Sequence, residues 1–349
     1  MVIYVLTIPS GLSYRSAASL NINISPWLRK LNYGQYVFTC VFEDCAMLPS
    51  YKGSTLRGVF GHALKKVVCA LRNQECAHCL LCERCIYPTI FEISSNNLQI
   101  DGRKRIAHPP HPYVIEPPME TKTRYQKGDQ LDFSLLLFGD ACENLPYFIY
   151  AFEQIGSVGL GVGKHRDGRK ATFTLQKVCA NREVIYSKSD GKIQKQTARS
   201  ELVAQSLTEA QKGGPFDIEL EFLSPLRLKY HNGLKAELPF EILTRAMLRR
   251  ISSLFQYHGE GEPALDYRGL VARAQEIAVK ESHIGWHDWR RYSNRQEQAM
   301  MMGGMVGKIL YADVPGEYLP LLRFCELAHL GKQTTFGLGK IQMRMVNGG

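Results

Sequence analysis

Residues 48–85 read LPSYKGSTLRGVFGHALKKVVCALRNQECAHCLLCERC, and the rest of the chain is interpreted outward from them. They divide into a loop carrying Lys52, an amphipathic helix from about Ser54 to Leu71, and a cysteine knuckle. At 100° per residue, Leu56, Phe60, Ala63, Leu64, Val67 and Leu71 fall on one stripe, the pattern of a helix that buries one face. His62 falls almost opposite that stripe, beside Gly58, Lys65 and Cys69. A histidine on a polar face, flanked by lysines and with a glycine one turn before it, can meet a phosphate.

Outward from this helix, the spacing predicts a repeated α+β pattern. Gln35–Cys45 alternates as a strand before the helix, and Pro88–Ile93 reads as a short strand after it. The Pro- and His-rich run Ala107–Pro118 excludes helix and central strand. Asp129–Phe138 is a strand, Cys142–Ile155 a helix, and Ala171–Val178 a strand entered through the glycine-rich loop GSVGLGVGKHRDGRK. The sequence then turns polar, and the pattern restarts. Phe216–Leu228 begins as an alternating strand, Pro239–Tyr257 and Ala264–Val279 are helical, and His283–Gln296 and Gly304–Ala312 are strands. Tyr318–Leu330 is a helix, TTFGLGK a glycine turn, and Ile341–Val346 the closing strand. Each half reads β-α-β-β-α-β. The expected architecture is therefore two tandem ferredoxin-like (RRM-like) domains, with a cysteine-rich metal knuckle inserted in the first. The expected divisions are an extension of uncertain order at 1–33, a first domain at 34–180 with the knuckle at 69–85, a linker at 181–215, and a second domain at 216–349.

Composition sets wide bounds. The 45% apolar and 22% charged fractions are those of a folded globular chain, and 349 residues suffice for two cores. Forty-three Lys+Arg against thirty-three Asp+Glu give +10, which favours a polyanionic partner. The opening MVIYVLTIP is too short to span a bilayer and lacks a charged n-region, so a cytoplasmic protein with no membrane partner is expected. Ten cysteines without an export signal argue against a disulfide scaffold. Cys69, Cys76, Cys79, Cys82 and Cys85 lie in the order C-x6-C-x2-C-x2-C-x2-C, which suits structural zinc better than an iron–sulfur cluster, because the Cys-Pro element of an iron–sulfur run is absent. Five cysteines compete for four places. Cys69, Cys76, Cys79 and Cys85 are the favoured set.

The first glycine loop is not a nucleotide-binding loop. In a P-loop register Val158 occupies the first glycine position and His165 the hydroxyl position. What it offers is a pliable backbone with Lys164, His165, Arg166, Arg169 and Lys170, suited to a phosphodiester chain or simply to a solvated turn. The second loop, Gly337-Leu338-Gly339-Lys340 with Lys332 before it, echoes the first. WRRYSNRQ interleaves Arg290, Arg291, Tyr292 and Arg295 on a strand that could stack bases and grip phosphates. His329, ahead of Gly331, reads more readily as a core or helix-end histidine than as a catalyst.

Together LPSYKGSTLRGVFGHALKK, the knuckle, FLSPLRLK, WRRYSNRQ with MGGMVG, and LAHLGKQTTFGLGK resemble the CRISPR pre-crRNA processing endoribonucleases of the repeat-associated mysterious protein (RAMP) superfamily. The likeness spans roughly residues 35–345. It implies an endoribonuclease that cuts CRISPR repeat RNA, often beside a hairpin, and keeps hold of the product. Other CRISPR effector subunits would be further partners. The implied reaction needs no metal: a ribose 2′-hydroxyl attacks the adjacent phosphate and leaves a 2′,3′-cyclic phosphate. Within it His62 would serve as base or acid, with His329 and His165 behind it, Lys52 or Lys65 as charge stabiliser, and Tyr51 as a second proton-transfer or positioning group. Two other readings stay open: a catalytically silent RNA-binding subunit of an effector complex, and a zinc-knuckle nucleic-acid-binding protein.

Overall fold

The computed structural model describes residues 30–72, 74–92, 109–163, 170–194, 215–228, 236–293 and 298–346. Residues 1–29, most of the expected linker, Lys164, His165, Arg166, Arg169 and Arg295 lie outside them.

The chain is a mixture of helices and antiparallel sheets. The first half contains β1 (Tyr33–Phe42), β2 (Ala46–Met47), α1 (Gly53–Val68), α2 (Ile86–Phe91), β3 (Tyr113–Glu116), β4 (Arg124–Tyr125), β5 (Gln130–Phe138), α3 (Leu145–Val158), β6 (Val162–Gly163), β7 (Phe173–Ala180) and β8 (Glu183–Ser187). The second contains β9 (Phe216–Leu226), α4 (Phe240–His258), α5 (Tyr267–Arg273), β10 (Val279–Ser293), β11 (Gln298–Val314), α6 (Leu319–Ala328) and β12 (Ile341–Val346). The larger sheets run β3-β5-β1-β7-β8 and β10-β11-β9-β12, with a small sheet β4-β2-β6 beside the first. In the first sheet the opening strand β1 lies between β5 and β7, and in the second the opening strand β9 lies between β11 and β12.

Alternation along the strands builds the layers. Helix α1 buries Leu56, Phe60 and Leu64 and leaves His62 exposed, as its period dictates, while Leu71 falls beyond the helix and is exposed. Phe60 stacks on Phe152 of α3 at 5.0 Å, joining the two helices over one face of the first sheet. Strand β5 sends Leu131, Phe133, Leu135 and Leu137 into that core. Its alternate residues Leu136 and Phe138, with Leu31, Tyr33 and Val114, enter the core of the second half. The first sheet is thus buried on both faces along this edge, which explains the unbroken run LLLF.

Several elements depart from the sequence expectation. Residues 88–91, expected as a strand, lie in α2, because Pro88 sits within the first turn and Tyr87, Ile90 and Phe91 turn one face to the core. The Pro-rich run, expected to exclude helix and central strand, contains an edge strand, β3, which pairs only with β5, since the prolines flank YVIE and leave its amides free for that one partner. The helix expected to Val279 stops at Arg273, and β10 already begins at Val279.

Strands β10 and β11 stay paired from Val279↔Tyr311 to Ser293↔Gln298, whereas β9 follows β11 only as far as Leu226↔Met305. Beyond that point the hairpin leaves the sheet as a two-stranded ribbon of roughly 20–25 Å.

Candidate nucleic-acid interface

The two halves meet at a cleft of about 660 Å³ that opens at the start of α1. Ser50, Tyr51, Ser54 and Thr55 line it from the first half, with Glu116 and Pro117 from the end of β3. Ser224 and Pro225 of β9, His287 and Trp289 of β10, and Gly337 and Lys340 close it from the second. Helix α1 begins there without a side-chain cap and without an acidic residue in its first turn, so its positive end is uncompensated by neighbouring carboxylates of that turn.

The loop before α1 is held tightly. Tyr51 donates its hydroxyl to the Phe336 carbonyl at 2.6 Å, and its ring lies 5.1 Å from that of Trp289. Burial pushes the Tyr51 phenol far above its ordinary range, with Glu116 adding to the effect. Lys52 is only 1% exposed, and its Nζ donates to the carbonyls of Ser50 at 3.2 Å and Glu120 at 3.1 Å. Desolvation lowers its pKa, partly offset by Glu120. Gly53 is required by proximity, because a Cβ there would stand 1.9 Å from the Phe336 carbonyl oxygen.

In the wall of the cleft a triad of Glu116, His329 and Lys340 crosses from one half to the other. Glu116 Oε1 accepts from His329 Nε2 at 2.8 Å and pairs with Lys340 Nζ at 2.9 Å. His329 Nδ1 faces the Leu338 carbonyl at 3.0 Å, so both ring nitrogens donate only in the imidazolium form. Burial would raise the Glu116 carboxyl, but the His329 hydrogen bond and charge, followed by Lys340, outweigh it and bring the pKa down to about 2. His329 ends α6 with a φ of 57°, and the buried Arg250 of α4 donates to the carbonyls of Ala328 at 2.7 Å and His329 at 3.1 Å.

Not all the expected residues gather here. Tyr51, Gly337 and Lys340 line the cleft, whereas the ammonium of Lys52 turns into the loop. His62 stands outside, exposed, on the helix face that continues from Thr55 across Gly58, about 10 Å further along α1. Gly58 is open, since a Cβ there would meet nothing within 4 Å. Lys65 sits in the last turn of α1 with its Nζ 5.3 Å over the Tyr87 ring. His329 is fully buried and cannot touch RNA directly in this arrangement. The second glycine loop is an interlock rather than an open cradle. Gly337, at φ +85°, packs against Pro117 and the Ile115 carbonyl, and Gly339, at φ +76°, against the Leu330 carbonyl. Lys332 is exposed beside it. Arg291 and Tyr292 lie on the ribbon, paired with Met300 and Ala299.

At the knuckle, Cys76 and Cys85 pack against the first core and Cys69 follows the end of α1. Among the described residues, no three His, Cys, Asp or Glu side chains are grouped to hold a metal ion. The sequence reading missed Glu116, Ser224 and His287. No local pattern marks them, because each acquires its place only when distant strands meet.

Residues 31–198 match a family described as an N-terminal domain, and residues 220–341 match the family CRISPR-associated endoribonuclease Cas6. An uncharacterized protein of Archaeoglobus fulgidus is 26% identical over 301 residues, covering 85% of this chain and 93% of that one. A solved chain described as part of a partial Cas6-RT-Cas1–Cas2 complex shares the fold with a TM-score of 0.57 at 13% identity, covering 91% of this chain. A chain of a Cas6-RT-Cas1–Cas2 complex gives the same TM-score and identity. This chain spans 47% of the length of the former and 29% of the latter. The chain therefore shares its overall fold with those solved chains, and its residues 220–341 carry the sequence signature of the CRISPR-associated endoribonuclease Cas6 family.

Proposed function

We propose that this protein binds CRISPR repeat RNA beside a hairpin and cuts it into guide RNAs in the cytoplasm. Its framework in this reading is two ferredoxin-like units, residues 34–180 and 216–349, joined by 181–215. The observation that carries the reading is that the Cas6-family half meets the His62-bearing helix of the first half at one cleft. The strand would enter over the ribbon with Arg291 and Tyr292, cross the cleft, and leave along Thr55, Gly58 and His62. Lys164, His165, Arg166, Arg169, Arg295 and Lys332 would hold flanking phosphates.

The cut follows from 2′-hydroxyl attack. One group takes the 2′ proton as that oxygen bonds to phosphorus, the bond from phosphorus to the 5′ oxygen breaks, and a second group protonates the leaving oxygen. His62 is the proposed base or acid, with Lys65 and the positive end of α1 stabilising the crowded phosphate. Tyr51 and Lys52 act by fixing the loop that starts α1, since the hydroxyl and ammonium already serve carbonyls. The carboxylate in the cleft, Glu116, is likewise committed to His329 and Lys340, which favours acid–base chemistry over a carboxylate-held metal. Labelled repeat RNA should be cut in excess EDTA, and a 2′-deoxy group at the cut site should stop it. His62→Ala should lower cleavage about 10²- to 10⁴-fold and leave hairpin binding intact.

The second reading is an RNA-binding subunit of a CRISPR effector complex that does not cut. The internal bonds of Tyr51 and Lys52 favour it, because they leave His62 without a free partner from that loop. Tight binding of repeat RNA with no product under any condition would select it.

A further inference from the structure

We propose that the cleft at the start of α1 is a pocket for one nucleobase turned out of the RNA strand next to the cut bond, with Trp289 as its stacking platform. The inference rests on the RNA-processing reading and names the specificity determinant of the same site.

Three observations point to a base. Trp289 and His287 are two apart on β10 and so project from the same face of the ribbon, with their rings 5.8 Å apart and tilted by 34°. Trp289 remains half-exposed although Tyr51 packs against it at 5.1 Å, and Tyr51 itself is anchored through its hydroxyl to Phe336. A flat, rigid aromatic wall with an open flank is what an unstacked base needs. Second, Pro117 and Pro225 add stiff apolar walls, and about 660 Å³ lies within the range of a pocket for a small organic group. Third, Ser54 and Thr55 place hydroxyls and the first turn of α1 on the opposite side. An apolar ligand would make no use of that polar, positive edge. A nucleotide does, laying its base on Trp289 and its phosphate at the helix start, with the next phosphate passing over Gly58 toward His62.

The test is a cycle between protein and RNA. Repeat RNAs carry an abasic ribose at each nucleotide around the cut bond in turn, and each is presented to the wild type, Trp289→Ala and Trp289→Phe. At one position, loss of the base should slow wild-type cleavage about 5- to 150-fold. Trp289→Ala should slow cleavage of intact RNA by a similar factor, yet add nothing on the RNA abasic at that position. Trp289→Phe, which keeps a stacking ring, should recover most of the loss and shows that the fold survives. Losses that multiply at every position, or RNAs cut alike wherever the base is missing, overturn the pocket. If the wild type binds RNA without cutting, the cleavage reading fails and the same cycle in dissociation constants decides the pocket alone. Repeat RNA that does not bind at all removes both.

Discussion

At the scale of single residues, the glycines of the second loop serve shape rather than charge. Gly337 is held at φ +85° with Pro117 Cδ 2.4 Å and the Ile115 carbonyl oxygen 2.6 Å from where a Cβ would stand. Gly337→Ala therefore meets both a strained backbone and a clash with another strand, and should cost about 1–3 kcal/mol in denaturant unfolding. An unchanged midpoint would mean the loop can move off β3. The sequence marks these glycines, and the repeat of the two loops makes them stand out as phosphate binders. What it does not carry is the partner surface, because Ile115 and Pro117 lie more than two hundred residues away. Glu116 illustrates the same limit. A carboxylate within YVIE, between prolines, has no local reason to be buried until His329 and Lys340 arrive beside it.

At the scale of elements, periodicity was most informative where one helix packs on one sheet. The stripe on α1 identified Leu56, Phe60 and Leu64 as core and His62 as outward, because a 3.6-residue repeat depends on nothing distant. Phe60→Ala removes a ring packed among Phe91, Tyr113, Phe148 and Phe152, and should destabilise the protein by about 3–5 kcal/mol by thermal or chemical melting. A loss below about 1 kcal/mol would show that α1 is not fixed by this cluster. Periodicity fails for short or doubly buried elements. Six residues of α2 are too few to tell a helical stripe from alternation, and the prolines around β3, which bar a central strand, do not reveal the edge strand that forms between them.

At the scale of the whole molecule, the seam between the halves carries half-buried histidines as well as apolar contacts. His111 Nδ1 faces the Ile90 carbonyl at 2.8 Å, and His258 Nε2 the Pro110 carbonyl at 2.7 Å. Burial lowers the His111 pKa to about 4, against the hydrogen bond to Ile90, and lowers that of His258 as well. The unfolded chain takes up these protons near 6.5, whereas folded His111 resists until about 4. Stability is therefore fullest above 6.5 and falls as the pH drops through that window, by about 3 kcal/mol for His111. Glu116 acts lower: its contribution is present above about 4.5 and is lost as the pH approaches 2. Urea midpoints of the wild type should decline between pH 7 and pH 5, and His111→Gln should flatten the decline. A wild-type midpoint that stays level across that range would place both histidines in contact with water.

The sharing of Tyr33, Val114, Leu136 and Phe138 with the second core has a consequence for synthesis. The first half leaves the ribosome first, and it does so with those side chains uncovered, since the strands that cover them are made later. At about 5–20 residues per second, the roughly 160 residues that follow β8 leave this edge bare for about 8–30 s. During that interval the nascent chain presents a sticky edge to chaperones and to its own copies, and only translation of the second half closes it.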